Sequence, residues 1–157
     1  MCGIVAVTGY KKALPLLMNG LEKLEYRGYD SAGIAIINPE TNSITCNKAE
    51  GKLKNLSSSL DDKNIPGTVG IGHTRWATHG KPEVKNAHPH TNSSGTIAVV
   101  QNGIIENFQD LKNKLEKEGI IFNSDTDTEV IPHLIERELN TLSKLNLENN
   151  GSTLLVA

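Results

Sequence analysis

The chain has 157 residues, of which 37% are hydrophobic and 22% are charged, a composition typical of one soluble globular domain. The net charge of -2 and the pI near 6.2 provide no basic field for a nucleic acid, and no apolar run has the length of a membrane span. Because the chain also starts without a charged segment before a long apolar run, we expect a cytoplasmic protein with neither nucleic-acid nor membrane partners.

The first half of the chain predicts strands and one helix. Residues 2–8 form a short apolar strand, and residues 14–24 carry apolar side chains at helical spacing. Pro15 falls near the first turn of that helix, where a missing N–H costs least. Residues 32–37 and 44–49 are separated by turn-forming residues and predict a hairpin.

The second half predicts two strands, two helices and a final strand. Strands are expected at residues 69–76 and 96–101, and a helix begins after the N-cap residue Asn107 and stops at Gly119. The second helix follows residues 126–129, TDTE, which have the spacing of a capping box, and Pro132 is expected to shift its start or bend it.

The apolar residues that end the chain predict a last strand, cut short. Clustered strands with flanking helices, without a regular alternation of the two, favour an α+β fold built on antiparallel sheets.

Cys2 lies directly behind the initiator methionine, which makes it a candidate nucleophile. Once Met1 is removed, the thiol shares its residue with a free α-amine, and an amine with a pKa of roughly 7.7–8.0 can take the thiol proton at neutral pH. The alternative is a small buried hydrophobe in an apolar strand, the usual environment of a free cysteine. Cys46 lies in an alternating stretch and is expected to be structural, and without a cysteine framework both thiols are expected to be free.

Three other segments concentrate polar side chains near the ends of predicted elements. Residues 25–33, EYRGYDSAG, are either a functional loop or a tight connector with an Arg–Asp surface pair. Residues 72–80, GHTRWATHG, end a strand, and Arg75 among them offers a planar fork for a carboxylate. In residues 101–103, QNG, an amide side chain and a glycine N–H can face one point, as in an oxyanion hole, although Asn-Gly is more often a turn.

The histidines do not predict a metal site, because no cysteine or carboxylate falls at zinc spacing around them. We therefore expect neither a metal nor a cofactor. The histidines considered are His73, His79, His88, His90 and His133.

These motifs together resemble one family, the glutaminase domains of glutamine:fructose-6-phosphate aminotransferases (isomerising), which are class II glutamine amidotransferases. The resemblance rests on CGIV, YRGYDSAG, HTRWATHG, NGIIEN and TDTE, in this order, and extends to about Leu139. Glutamine phosphoribosylpyrophosphate amidotransferases and asparagine synthetases share the cysteine and an Asn-Gly element but differ at the second and third motifs. The resemblance implies an N-terminal-nucleophile hydrolase fold, an αββα sandwich of antiparallel sheets that is incomplete at its C terminus.

The resemblance also implies catalytic roles in the hydrolysis of glutamine. Cys2 would attack the side-chain amide carbon, with its own α-amine as the base and then as the acid. The Asn102 side chain and the Gly103 N–H would hold the oxyanion. Arg27 would support the nucleophile without touching the substrate.

A site for free glutamine needs a cation and an anion, because glutamine is a zwitterion. The resemblance implies that Arg75 binds the α-carboxylate and Asp127 the α-ammonium. Asp127 has a second interpretation, as an acid in the first turn of a helix, and the two are compatible. The remaining substrate-binding residues implied by the resemblance are Trp76, Thr78, His79 and Gly103.

In that family a sugar-phosphate isomerase half follows this domain and uses the ammonia to make glucosamine 6-phosphate from fructose 6-phosphate. The resemblance implies that the complete enzyme is a homo-oligomer. Residues 1–157 are expected to be a glutaminase domain shortened at its C terminus, because the match fades after about Asn140. An inactive remnant and the glutaminase domain of another class II amidotransferase stay open as alternatives.

Overall fold

A computed structural model describes residues 2–60, 64–76, 81–144 and 154–156. The strands are β1 (Gly3–Val7), β2 (Ser31–Ile37), β3 (Ile44–Glu50), β4 (Gly70–Arg75), β5 (His90–Thr91), β6 (Ile97–Val99) and β7 (Leu154–Val156). The helices are α1 (Ala13–Leu24), α2 (Leu53–Leu60), α3 (Phe108–Lys117) and α4 (Val130–Lys144).

The strands form two sheets. The first has the order β1-β4-β2-β3, and all of its neighbours are antiparallel. The second has the order β5-β6-β7, in which β5 and β6 are antiparallel whereas β6 and β7 are parallel. The expected antiparallel arrangement therefore applies to every described strand pair except the last.

The sheets stack on each other, and helices cover their outer faces. Strand β2 is buried on both sides: Ile34 and Ile36 pack into the core under α1 and α2, while Ala35 packs with Ala98 of the second sheet. Helix α4 lies on β5 and β6, and α3 packs against α4. This four-layer arrangement confirms the α+β class expected from the clustered strands.

Glycines in β4 let α1 approach the first sheet closely. A Cβ at Gly70 would come within 2.9 Å of Leu17 Cδ1, and a Cβ at Gly72 within 3.0 Å of Leu21 Cδ1. Both leucines are fully buried. The close packing holds the adjacent strands β1 and β4 in place, and the ends of these two strands carry Cys2 and Arg75.

Most predicted elements are present, with shifted ends. The hairpin is β2 and β3, paired from Ser31↔Glu50 to Ile37↔Ile44. Helix α3 begins after Asn107, whose side chain makes no capping hydrogen bond, and Gly119 follows its C-cap with φ +91. Across the described ranges, every helix is too short or too polar for a membrane span.

The predicted capping box at residues 126–129 is wrong. Helix α4 begins only at Val130. In a capping box the Glu129 carboxylate would accept the N–H of Thr126, but here it binds residues further back in the chain. It accepts the backbone N–H groups of Asn123 and Ser124 at 2.8 and 2.7 Å, and the Ser124 hydroxyl at 2.5 Å. The sequence spacing matches a capping box, but the Glu129 carboxylate instead stabilises the turn at Asn123 and Ser124 that precedes the helix.

Helix α2 is not predicted from the sequence. Its serine-rich second half resembles a loop, although Leu53, Leu56 and Leu60 are all buried at helical spacing. Its start depends on a distant residue, since the Leu53 N–H donates to Glu25 Oε1 at 2.9 Å. A helix end stabilised by tertiary contact leaves no local capping signal.

Candidate active site

A cavity of about 370 Å³ lies where the start of β1 meets the end of β4, a volume suited to a small molecule. Every predicted site residue in the described part of the chain lines it. These residues are Cys2, Arg27, Arg75, Trp76, Asn102, Gly103 and Asp127. The two other predicted residues, Thr78 and His79, lie outside the described residues.

Strand pairing places the Cys2 thiol beside the end of β4. Gly3 pairs with Thr74, so the antiparallel register continues with Cys2 opposite Arg75, one residue before Trp76. The Trp76 N–H donates to Cys2 Sγ at 3.2 Å, and Sγ lies 3.6 Å from the Trp76 carbonyl. A backbone donor at the sulfur suits a thiolate, which is the nucleophilic form of cysteine.

The Asn102 amide lies on the other side of Cys2. Its Nδ2 donates to the Cys2 carbonyl at 3.2 Å, and its Oδ1 lies 2.9 Å from Nε2 of His73. A Cβ at Gly103 would come within 2.5 Å of Gln101 Nε2, so the Gln101 side chain lies directly against this turn. Thr128 holds the Gln101 side chain by donating to its Oε1 at 2.9 Å.

Arg75 supplies a buried cation. The residue is 4% exposed, and its Nη1 lies 3.9 Å from Asp30 Oδ1 and 3.3 Å from the Lys81 carbonyl. Ser31 donates to the same Asp30 oxygen at 2.9 Å and so orients it. A buried guanidinium held by a carboxylate and a carbonyl presents its planar fork in a defined direction.

Asp127 supplies a buried anion to the same cavity. The residue is 6% exposed, and its Oδ2 accepts the Ile105 N–H at 2.7 Å. Its Oδ1 lies 3.4 Å from the Thr128 hydroxyl. Asp127 precedes α4, and its carbonyl accepts the Val130 N–H at 3.3 Å, so the positive end of the helix also favours its charge.

The rim of the cavity is aromatic. Trp76 is 46% exposed and meets the edge of Tyr29 at 5.3 Å between ring centroids, with planes 89° apart. Arg27 belongs to a 3₁₀ turn, Glu25–Arg27, that leads into this rim. A Cβ at Gly28 would come within 2.8 Å of the Arg75 carbonyl carbon, which shows how closely the two motifs approach.

Three buried histidines at the cavity were not predicted as part of the site: His73 and His88 line it, and His90 packs against His88. The rings of His73 and His88 stack 4.3 Å apart with a 16° angle, and His90 meets His88 edge-on at 4.6 Å. Burial lowers the pKa of His73 to about 4 and that of His90 to about 3, and it lowers the pKa of His88 well below its usual value. All three rings are therefore neutral at pH 7.

A sequence signal for His73 exists. It lies two positions before Arg75 on β4, and side chains two apart on a strand share a face. Among the described residues, no group of three or more histidine, cysteine or acidic side chains is placed to hold a metal ion.

The fold and the cavity define a class of protein, the N-terminal-nucleophile amidohydrolases, in which a cysteine at the start of an edge strand faces an amide donor and a polar substrate pocket. Residues 46–146 match the glutamine amidotransferase domain, and the chain belongs to that family. The expected family and fold are both confirmed.

Similar proteins agree with this assignment. The chain is 58% identical over 136 residues to glutamine–fructose-6-phosphate aminotransferase (isomerizing) of Clostridium tetani, covering 87% of this chain and 22% of that protein. It is 56% identical over 137 residues to the protein of the same name from Aquifex aeolicus, covering 87% of this chain and 23% of that protein. The chain thus spans about a fifth of the length of the curated relatives it matches.

The fold is also similar to a solved structure, glutamine phosphoribosylpyrophosphate amidotransferase from B. subtilis. The TM-score is 0.71 and the identity 29%, over 92% of this chain and 33% of that one. The names of the sequence relatives and of the structural relative both contain glutamine, but the former are named for fructose 6-phosphate and the latter for phosphoribosylpyrophosphate.

Proposed function

We propose that this chain hydrolyses the side-chain amide of free glutamine and releases ammonia, with Cys2 as the nucleophile. One observation carries the proposal. A single cavity is lined by the Cys2 sulfur, the Asn102 amide, a buried cation at Arg75 and a buried anion at Asp127. A thiol and an amide donor suit acyl transfer, and the opposite charges suit an amino acid zwitterion.

The reaction begins with proton transfer within Cys2. After removal of Met1, the α-amine takes the thiol proton, and the thiolate attacks the amide carbon of glutamine. The carbonyl oxygen becomes an oxyanion, for which the Asn102 side chain and the Gly103 N–H are the proposed donors. Removing one such donor typically costs about 10²–10³ in kcat.

Collapse of the tetrahedral intermediate breaks the carbon–nitrogen bond. The α-ammonium of Cys2 returns the proton to the departing nitrogen, which leaves as ammonia. A γ-glutamyl thioester remains on Sγ, and water attacks it to give glutamate and the free thiol. The net reaction converts glutamine and water into glutamate and ammonia.

Substrate selection is assigned to the two ends of the zwitterion. Arg75 binds the α-carboxylate and Asp127 the α-ammonium, while Trp76, Thr78 and His79 complete the pocket. Arg27 supports the nucleophile from the rim. Because both charged partners are largely buried, each interaction with the substrate is stronger than on an exposed surface.

The acceptor of the ammonia is proposed from the relatives. Those with 56–58% identity are named for fructose 6-phosphate, so we infer that the longer protein makes glucosamine 6-phosphate and is a homo-oligomer. The chain itself is assigned only the glutaminase step. A cytoplasmic location is also proposed, since Cys2 and Cys46 are both free thiols and the mechanism needs a reduced nucleophile.

The test combines turnover with covalent labelling. Glutamate release is measured for the parent chain and for Cys2→Ala and Cys46→Ala, and each is treated with the glutamine-like electrophile diazo-oxo-norleucine before peptide mass spectrometry. We expect hydrolysis and a single label on Cys2 in the parent and in Cys46→Ala, and neither in Cys2→Ala. A label on Cys46, or full activity with Met1 retained, would overturn the proposal.

The acceptor is tested in the longer protein. Glucosamine 6-phosphate is measured after addition of glutamine and fructose 6-phosphate, with phosphoribosylpyrophosphate offered separately. Formation of glucosamine 6-phosphate with fructose 6-phosphate, and no reaction with phosphoribosylpyrophosphate, supports the inferred acceptor. Ammonia consumption that depends on phosphoribosylpyrophosphate would replace it.

A further inference from the structure

We propose that His73 is a positioning residue for the oxyanion-binding amide of Asn102, with the ring of His88 fixing both His73 and the adjoining backbone. The inference rests on the proposed glutaminase function. It assigns a role to the buried histidine group, which the reaction above does not use.

The contact between His73 and Asn102 determines which end of the amide faces Cys2. The amide oxygen Oδ1 only accepts hydrogen bonds, so His73 must donate to it from Nε2 over their 2.9 Å separation. With Oδ1 held in this way, Nδ2 points to the Cys2 residue, where it donates to the carbonyl at 3.2 Å. A flipped amide would present an oxygen to the oxyanion and repel it.

The tautomer required of His73 fits its surroundings. A neutral ring that is protonated at Nε2 carries a bare lone pair at Nδ1. In the described part of the chain this Nδ1 is buried without a hydrogen-bond partner, which costs less for an acceptor than for an N–H donor. Burial lowers the pKa of His73 to about 4, so the ring stays neutral at neutral pH.

His88 supports the arrangement from behind. Its ring stacks on His73 at 4.3 Å, and its Nδ1 accepts the Gln101 N–H at 3.4 Å. His90 also packs against His88, edge-on, and its Nε2 lies 2.9 Å from Thr126 Oγ1. Gln101 and Asn102, neighbouring residues that follow β6, are therefore held by two adjacent histidine rings.

The first experiment replaces the donor and keeps the ring. His73→Phe retains a planar side chain against His88 but cannot donate, whereas His73→Gln places an amide N–H near the position of Nε2. We expect His73→Phe to lower kcat for glutamine hydrolysis by roughly 10- to 100-fold, less than the 10²–10³ typical of deleting an oxyanion donor. KM should change less than about 3-fold, and His73→Gln should recover most of kcat.

Double substitution separates positioning from general packing. In an Asn102→Ala background, His73→Phe should lower kcat no further, because it acts only through the missing amide. Losses that multiply would overturn the inference, as would an unchanged kcat in the single variant. His133→Phe is the matched control, a buried histidine that packs against Phe122 at 5.0 Å and does not line the cavity. An equal loss of kcat in this control would show a packing effect and reject the proposal.

An NMR measurement tests the tautomer of His73 independently of catalysis. Long-range ¹⁵N–¹H correlation on histidine-labelled protein identifies which ring nitrogen of His73 carries the proton. A proton on Nε2 with a bare Nδ1, unchanged between pH 7.5 and 6, is expected. A proton on Nδ1 would overturn the inference even in an active protein. Failure of the proposed function would appear instead as absence of hydrolysis and of the Cys2 label in the parent chain.

Discussion

Arg75 and Asp30 are joined twice. Nη1 of Arg75 lies 3.9 Å from Oδ1 of Asp30, and the backbone N–H of Asp30 donates to the carbonyl of Arg75 at 3.1 Å. The side-chain contact orients a charged group, and the backbone contact keeps the loop before β2 against the end of β4. These contacts bring the polar segment at residues 25–33 against the segment that begins at residue 72, and both contribute residues to the cavity lining.

The first prediction concerns the guanidinium. Arg75→Ala should raise the KM for glutamine by roughly 30-fold or more, since truncating one partner of a buried charge pair typically costs about 2–5 kcal/mol. Arg75→Lys should recover little, because an ammonium cannot reproduce the planar fork. Initial rates of glutamate release over a range of glutamine concentrations provide the measurement. An unchanged KM in Arg75→Ala would remove this residue from the substrate site.

The second prediction concerns Asp127. Asp127→Asn keeps an oxygen for the Ile105 N–H, so the fold should persist while the KM for glutamine rises by roughly 10-fold or more through loss of the negative charge. Asp125→Asn is the matched control, because Asp125 is exposed and pairs with Lys85 at 2.8 Å. Equal KM values in the two variants would contradict the assignment of Asp127.

The third prediction concerns close packing beside the cavity. A Cβ at Gly28 would lie 2.8–3.0 Å from backbone atoms of Arg75 and Trp76, which cannot rotate away. Gly28→Ala should therefore destabilise the protein by about 1–3 kcal/mol and slow labelling of Cys2. At Gly20 the three atoms nearest to an added Cβ all belong to the side chain of Val5, not to backbone, so Gly20→Ala should cost less. Thermal unfolding of both variants compares the two destabilisations. Equal stabilities would show that the backbone around Gly28 can move to accommodate a Cβ.

The fourth prediction concerns the stability of the fold at acid pH. Burial lowers the pKa of His73 from 6.5 to about 4, and the pKa values of His88 and His90 are lowered as well. A lowered pKa means that the folded state binds fewer protons than the unfolded state. The stabilisation is thus complete above pH 6.5 and is lost as the pH falls toward 4.

For His73 alone the loss approaches about 3 kcal/mol, at roughly 1.4 kcal/mol for each pKa unit. Urea unfolding at pH values from 7.5 to 4.5 measures it, and His73→Phe should show a shallower decline than the parent. A flat free energy of unfolding over this range would mean that the histidines are protonated in the folded state without penalty.

The sequence by itself determined the fold class, the family and the order of most elements. Periodicity and turn residues are local, so β2, β3 and α1 could be recognised without their neighbours. The family was identified by resemblance, and the motifs YRGYDSAG and HTRWATHG distinguish it from relatives that share the cysteine and the Asn-Gly element.

Only the tertiary structure decided which groups meet. Cys2 contacts Trp76 and Asn102, which lie 74 and 100 positions away, and a slip of one residue between β1 and β4 would send these side chains to opposite faces. The neutral histidine stack, the start of α2 on Glu25 and the use of Glu129 by a turn all depend on burial and long-range hydrogen bonds. No local pattern contains that information, because register and desolvation are properties of the packed sheets.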